Sequence, residues 1–257
     1  MQGVTEFLPV SSSGHLILAR AFFGWDAGRF GLAFDVACHV GTLVAVAVYF
    51  RRDVAEMLAA TPGALRGRDG VAERLVRLII VGTLPIVAVA LMFGAVLETV
   101  RAPMVVATTL AVGGLGLLLA ERVGSQSRDE STIGYGEALA IGCAQAAALV
   151  PGVSRSGATL TLAMLAGLRR AGAARFVFLL SLPAVLAAAA RETMHTAEAG
   201  VAGFPVTLFV VGLVVSGGVG YLTIKYFLRY LAHHSLAVFA YYRFALAAVT
   251  VIWLWTR

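Results

Sequence analysis

The sequence predicts an all-α polytopic membrane protein, with about six transmembrane helices and two re-entrant helical hairpins in an inverted-topology repeat. Three observations predict it. Of the 257 residues, 60% are hydrophobic and only 13% charged, with a mean hydropathy of +0.88; soluble domains carry roughly 25% charged residues. Several apolar runs approach the length of about 20 residues that a bilayer-spanning helix needs. Two further runs are interrupted at their centres by polar, glycine-containing stretches, and these two stretches resemble each other.

The elements follow in chain order. Residues 7–24 are apolar but broken by Pro9, the SSSG at 11–14 and His15, so they form two half-helices joined at a polar tip. Broken backbone at membrane depth is tolerated only inside protein or along a wet cavity. Residues 33–50 form the first span. The connection 51–77 holds Arg51, Arg52, Arg66, Arg68, Arg74 and Arg77, which makes it a cytoplasmic loop. Spans 78–97 and 103–120 follow, and the charged loop 121–134 returns to the cytoplasm. Residues 136–168 are the second broken run, interrupted by PGVSRSG and followed by Arg169, Arg170 and Arg175 on the same side. Span 174–190 leads to a mixed-charge extracytoplasmic loop at 191–200. Span 204–223 returns, with Lys225 and Arg229 inside, and 236–256 ends the chain outside. The first hairpin therefore opens outward and the second inward.

The net charge of +6 does not point to nucleic acid, because the arginines lie in short clusters between apolar runs, where they set topology and meet lipid headgroups. Cys38 and Cys143 sit in apolar runs as small hydrophobes. No cleavable signal peptide is visible. The first motif is already under way at Gln2, so a further helical turn or two is expected upstream of Met1.

The two broken runs align without a gap. Gln2 falls on Gln145, Val10 on Val153, Ser11 on Ser154, Ser13 on Ser156 and Gly14 on Gly157. The single domain 1–257 then divides into repeats 1–121 and 135–257, each with one hairpin and three spans. Three is odd, so the second copy is inverted. Inverted repeats with discontinuous helices place a site near the bilayer midplane.

Both polar tips precede apolar helical segments. Free N–H groups and the positive dipole end at a helix start favour an anion. Ser11, Ser13 and Gly14 in one tip, and Ser154, Ser156, Gly157 and Thr159 in the other, are the candidate substrate-binding residues. Arg155 adds a cation that binds phosphate through two parallel N–H bonds. An unpaired charge at that depth costs at least about 2.5 kcal/mol, so Arg155 requires an anion: a bound phosphate or carboxylate or, in the plainer reading, a structural bridge to Glu6 or Glu137. A hydroxyl, an imidazole, a carboxylate and a guanidinium together suit phosphoryl transfer.

At these residues the sequence resembles a known family. QGVTEFLPVSSSGHL (2–16) and PGVSRSGAT (151–159) look like the two signatures of the undecaprenyl-pyrophosphate phosphatases of the bacitracin-resistance type. FDVACHVGT (34–42), the proline in VGTLPI (81–86) and FAYYRF (239–244) look like further family features, so the resemblance covers essentially the whole chain. It implies an integral enzyme of the bacterial plasma membrane, with its site on the extracytoplasmic side. That enzyme hydrolyses undecaprenyl diphosphate to the monophosphate and phosphate and so recycles the carrier for cell-wall synthesis. It further implies a divalent cation, Mg²⁺ or Ca²⁺, at Gln2 and Glu6, which stand in the (E/Q)xxxE motif with a single carboxylate. Ser12, His15 and Arg155 fall on the catalytic positions. Ser12 as nucleophile with His15 as base is the expected mechanism; attack by a His15-activated water, or by His15 itself, stays open. Membrane lipids and the polyprenyl substrate are the expected partners, and a homodimer is compatible with the sequence. The rival function is a transporter or flippase for a lipid phosphate or small anion, which uses the same midplane anion site.

Overall fold

The computed structural model describes residues 1–24, 27–198 and 206–256. Among them are eleven α-helices and one 3-10 turn. In chain order the helices are α1 (Gln2–Thr5), α2 (Ser12–Phe23), α3 (Ala27–Tyr49), α4 (Arg51–Leu65), α5 (Val71–Thr99), α6 (Pro103–Val123), α7 (Tyr135–Ala147), α8 (Arg155–Leu165), α9 (Arg170–Glu198), α10 (Val206–Leu231) and α11 (Ala237–Trp255). Helices α5, α6, α9, α10 and α11 are long and apolar enough to cross a membrane, and α3 with α4 forms a sixth candidate span, broken and bent by 85°. The protein is a multi-pass membrane protein. All six predicted runs are helical over their described residues apart from end positions, and the second interrupted run, 136–168, divides into α7 and α8. The first, 7–24, holds only one helix, α2: residues 7–11 are turn, since Pro9 and the Ser11 cap leave no room for a helical turn, and the preceding helix α1 lies upstream of the predicted run.

Local sequence explains the breaks. Pro9, which lacks an N–H, follows α1, and Ser11 caps α2, its Oγ accepting from the Gly14 N–H at 3.2 Å. Gly24, left-handed at φ 62°, ends α2. Pro103 at the first turn of α6 loses no helical hydrogen bond.

Several boundaries differ from expectation, with α5 beginning at Val71 and α10 running on to Leu231 among them. The connection 51–77 contains α4 rather than only loop. Its Ala60 and Ala64 bury against Val76 of α5, with Met57 packed alongside. The paired arginines at its start hide this short apolar stripe. Helix α9 runs on to Glu198, so most of the predicted loop 191–200 is helical, and its last two residues lie outside the described residues.

The bundle pairs α3 with α10 and α9, α6 with α11, and α5 with α7; α1 rests on α10. Small residues permit the closest approaches, as expected where helix packing in lipid rests on van der Waals contact. A Cβ on Gly142 of α7 would stand 2.2 Å from the Gly82 carbonyl oxygen of α5. Phe7, just after α1, meets Phe178 of α9 edge-on with centroids 5.7 Å apart, which ties the first hairpin to the core. The arginine-rich connections gather at one end of the bundle. There Arg175 bridges Asp53 and Glu130 (2.7 Å to the latter), Arg128 pairs with Glu137 at 2.5 Å, and Arg170 pairs with Glu121.

Gly142→Val would force α7 off α5. Overpacking of this kind costs about 1–3 kcal/mol, and we expect the melting temperature in detergent to fall by about 5 °C. An unchanged melting temperature would show that α5 and α7 do not meet there.

Candidate active site

The two hairpin tips meet in the protein interior, and the same backbone device builds each. Ser11 (φ 73°) and Ser154 (φ 69°) both adopt left-handed backbone, a conformation that non-glycine residues rarely hold unless the surroundings enforce it. Each then caps a helix: the Ser154 hydroxyl accepts from the Gly157 N–H at 3.1 Å, as Ser11 does from Gly14. The second hydroxyls follow suit, Ser11 to Ser13 and Ser154 to Ser156 both at 3.3 Å. The sequence match between the tips is thus a match of geometry as well.

One consequence matters for chemistry. The first helical residue after each cap is Ser12 in α2 and Arg155 in α8. These equivalent positions converge on one carboxylate, Glu6. The Ser12 hydroxyl donates to Glu6 Oε2 at 2.7 Å, Gln2 Nε2 donates to the same oxygen at 2.9 Å, and Arg155 Nη2 pairs with Oε1. The Glu6 side chain is 6% exposed and that of Arg155 20%. A second link crosses the tips, from Ser156 Oγ to the Leu8 carbonyl at 3.0 Å. The cation that the sequence places at membrane depth therefore has Glu6 as its partner, and Glu137 belongs to Arg128. Beside the pair runs a crevice whose walls include Phe7, Leu43, Val46, Val177, Phe178 and Leu182.

His15 sits one turn along α2 with both nitrogens engaged. Nδ1 lies 2.7 Å from the Ser11 carbonyl, which as a pure acceptor fixes the proton on Nδ1. Nε2 then accepts from the Tyr242 hydroxyl at 2.6 Å, and the two rings lie parallel, 1° apart in plane, with centroids 5.6 Å apart. Ser12 and His15 thus share the first turn of α2 but hold different partners, Ser12 a carboxylate and His15 a phenol. Thr159 turns inward, donating to the Arg155 carbonyl at 2.6 Å within α8, while Ser13 is exposed. Asp35 pairs with Arg20 at 2.5 Å, and His39 Nδ1 lies 2.8 Å from the Asp35 carbonyl, with the His39 ring close enough to Glu6 to interact with its carboxylate electrostatically.

Two residues of α11, both within FAYYRF, were not among the candidate site residues, and for Arg243 the sequence left open a lipid headgroup phosphate or the cavity as partner. Tyr242 is one. Arg243 is the other: it is 0% exposed, and its guanidinium reaches carbonyls of both tips and of α6. Their adjacency inside an apolar helix was the available signal, since a cation there needs buried acceptors.

Among the described residues no group of three or more His, Cys, Asp and Glu gathers as a metal centre. The oxygens around Glu6 nevertheless suit a hard cation held largely by substrate. Gln2 Oε1 is buried without a hydrogen-bond partner, and it shares its amide with the Nε2 that touches Glu6. Mg²⁺ sites of this kind use one or two carboxylates plus substrate phosphates.

Tyr242→Phe keeps the ring stack and removes the hydroxyl. It should expose His15 Nε2, so acylation of His15 by diethyl pyrocarbonate, followed by peptide mass spectrometry, should quicken several-fold. An unchanged rate would mean that the hydroxyl does not hold that nitrogen.

Comparison with known proteins agrees with this architecture. Residues 1–249 match the family described as Bacitracin resistance protein BacA. The undecaprenyl-diphosphatase of Rubrobacter xylanophilus is 51% identical over 253 residues, 97% of this chain and 93% of the relative. That of Moorella thermoacetica is 42% identical over 260 residues, 100% of this chain and 95% of the relative. Undecaprenyl-diphosphatase 2 of Stutzerimonas stutzeri is 45% identical over 259 residues, 98% and 94% respectively. A serine-capped pair of hairpins meeting at Glu6, on a chain that matches over nearly its whole length, places this protein in the bacitracin resistance protein BacA family.

Proposed function

We propose that the protein is an undecaprenyl-diphosphatase, releasing inorganic phosphate from the diphosphate headgroup and leaving undecaprenyl phosphate in the membrane. The observation that carries this is the junction of Ser12, Glu6 and Arg155 between two helix N-termini. An acidic group, a hydroxyl and a guanidinium at one point can attack a phosphoanhydride and hold the charge that develops; binding alone does not require a carboxylate beside a hydroxyl. The relatives' printed names support the same reaction. Neither the geometry nor the relatives favour the transporter reading.

The sequence of events follows from the contacts. The terminal phosphate displaces Glu6 from Arg155, and the guanidinium closes on it with two parallel N–H bonds. The first N–H groups of α2 and α8 have no helical acceptor and need no reorganisation as charge builds up. Ser12 attacks the terminal phosphorus in line, its proton passing to the Glu6 oxygen that already accepts its hydrogen bond, and the undecaprenyl monophosphate leaves. Water then releases phosphate from the serine. His15 holds the Ser11 turn through its Nδ1 proton and offers Nε2 as a base for that water once Tyr242 yields it. Gln2 Oε1 and Glu6 would hold a divalent cation, Mg²⁺ or Ca²⁺, whose chemistry is to neutralise diphosphate oxygens.

The two halves, 1–121 and 135–257, are read as inverted repeats. The paired left-handed serines support this, as do the contacts of α1 on α10 and of α7 on α5, which are related by the same exchange of halves. With the arginine-rich end cytoplasmic, the first hairpin opens the site to the extracytoplasmic face of the plasma membrane.

Arg155→Ala should lower kcat for phosphate release in detergent with Mg²⁺ by at least about 10²-fold while the protein stays folded. Ser12→Ala should do the same, and Ser12→Ala with substantial turnover would transfer the attack to water or His15. Near-normal turnover of Arg155→Ala would reject the reaction as drawn.

A further inference from the structure

Arg243 is a fully buried cation that the proposed reaction does not use. Among the described residues its guanidinium donates only to backbone carbonyls. Nε reaches Leu110 at 3.0 Å, Nη1 reaches Pro9 at 3.3 Å, and Nη2 reaches Thr109, Gly152 and Val153 at 3.0, 3.2 and 3.0 Å. None of these partners is a carboxylate. A buried charge held by neutral dipoles alone is costly, so the fold keeps it against a penalty that an apolar side chain would avoid.

The choice of carbonyls is informative. Pro9 and Gly152 are equivalent positions of the two hairpins, each two residues before the left-handed serine that caps a catalytic helix. One guanidinium therefore grips both tips at matching points and fastens them to α6. Glycines make room for it: a Cβ on Gly113 of α6 would stand 2.0 Å from Nη2, and one on Gly157 would stand 2.8 Å from Nη1. α6 also grips the second tip directly, through Thr109 Oγ1 to the Pro151 carbonyl at 2.7 Å.

We infer that Arg243 is a positioning residue that sets the spacing of the two hairpin tips, and so the approach of Arg155 to Ser12 and Glu6 across one diphosphate. The inference rests on the proposed hydrolase reading and deepens it. When substrate draws Arg155 away from Glu6, the direct ion pair between the hairpins is lost. The Arg243 clamp is untouched by that exchange, because its partners are backbone atoms outside the reacting groups. It keeps the tips in register at the moment the salt bridge opens. Lysine cannot replace it: an ammonium retains the charge but carries three donors at one point, not a planar fork spanning three elements.

The test is steady-state phosphate release from undecaprenyl diphosphate in detergent, per folded molecule, for the parent, Arg243→Lys and Gly113→Ala, with melting temperatures alongside. Misplacing reacting groups by about 1 Å costs about 10²-fold in rate, so Arg243→Lys should lose about 100-fold in kcat with KM within about threefold of the parent. Gly113→Ala touches neither hairpin and displaces the guanidinium, so it should remain folded and show a smaller fall in kcat at unchanged KM. A folded Arg243→Lys with parental kcat overturns the inference. So does a folded Gly113→Ala with parental kcat where Arg243→Lys does not fold, and so does loss of the fold in both, which would reduce Arg243 to fold support. A parent that releases no phosphate removes the hydrolase reading and this inference with it.

Discussion

The Glu6 carboxylate is where the two halves of the molecule meet chemically. It accepts from Ser12 and Gln2 of its own hairpin and from Arg155 of the other, inside a body whose nearest walls are phenylalanine, leucine and valine. In such surroundings neither charge is stable alone, because removing one partner leaves a largely buried ion uncompensated. The pair therefore demands that the hairpin tips lie within contact distance. It also prepares the site for a trade, since a phosphate can take the place of the carboxylate on the guanidinium with little change in local charge.

Tight helix packing makes that demand achievable. Short arms reach the interior because glycine lets α7 lie almost backbone to backbone against α5, and because α1 rests on the small-residue face of α10, where a Cβ on Gly3 would meet the Ser216 carbonyl at 2.6 Å. The left-handed serines then turn each chain sharply enough to start a helix at the tip. The cost of these strained turns is met by hydroxyl caps and by the carbonyl grip of Arg243. Rigidity and chemistry come from the same atoms: the N–H groups that α2 and α8 leave free at their first turns are the ones an anion needs.

Much of this was legible in the sequence, and the limit has a physical cause. Composition and run length give the spans, because lipid permits few alternatives to helices. The broken runs are visible because Pro9 and PGVSRSG cannot sit inside a lipid-facing helix, and their shared residues foretell matching geometry at Ser11 and Ser154. Helix α4 was missed because its buried stripe is only a few small residues wide. Of the partners of the candidate catalytic side chains, only that of Arg155 was foreseen, as one of two carboxylates, Glu6 and Glu137. His15 and Tyr242 are 227 positions apart, and which hydroxyl, imidazole or carbonyl faces which is settled by the packing of α6 and α11. Nothing in SSSGH indicates that Ser12 will bond a carboxylate rather than the nearby imidazole. Likewise, Arg243 inside an apolar run signalled a need for buried acceptors but not which ones, because backbone carbonyls carry no sequence signature.

The most direct test of the account is an experimental structure of the protein with a non-hydrolysable methylene analogue of the polyprenyl diphosphate. The account predicts the diphosphonate between the starts of α2 and α8, with Arg155 moved from Glu6 onto the terminal phosphonate and Arg243 still on its carbonyls. An analogue bound elsewhere, with Arg155 and Glu6 still paired, would contradict it.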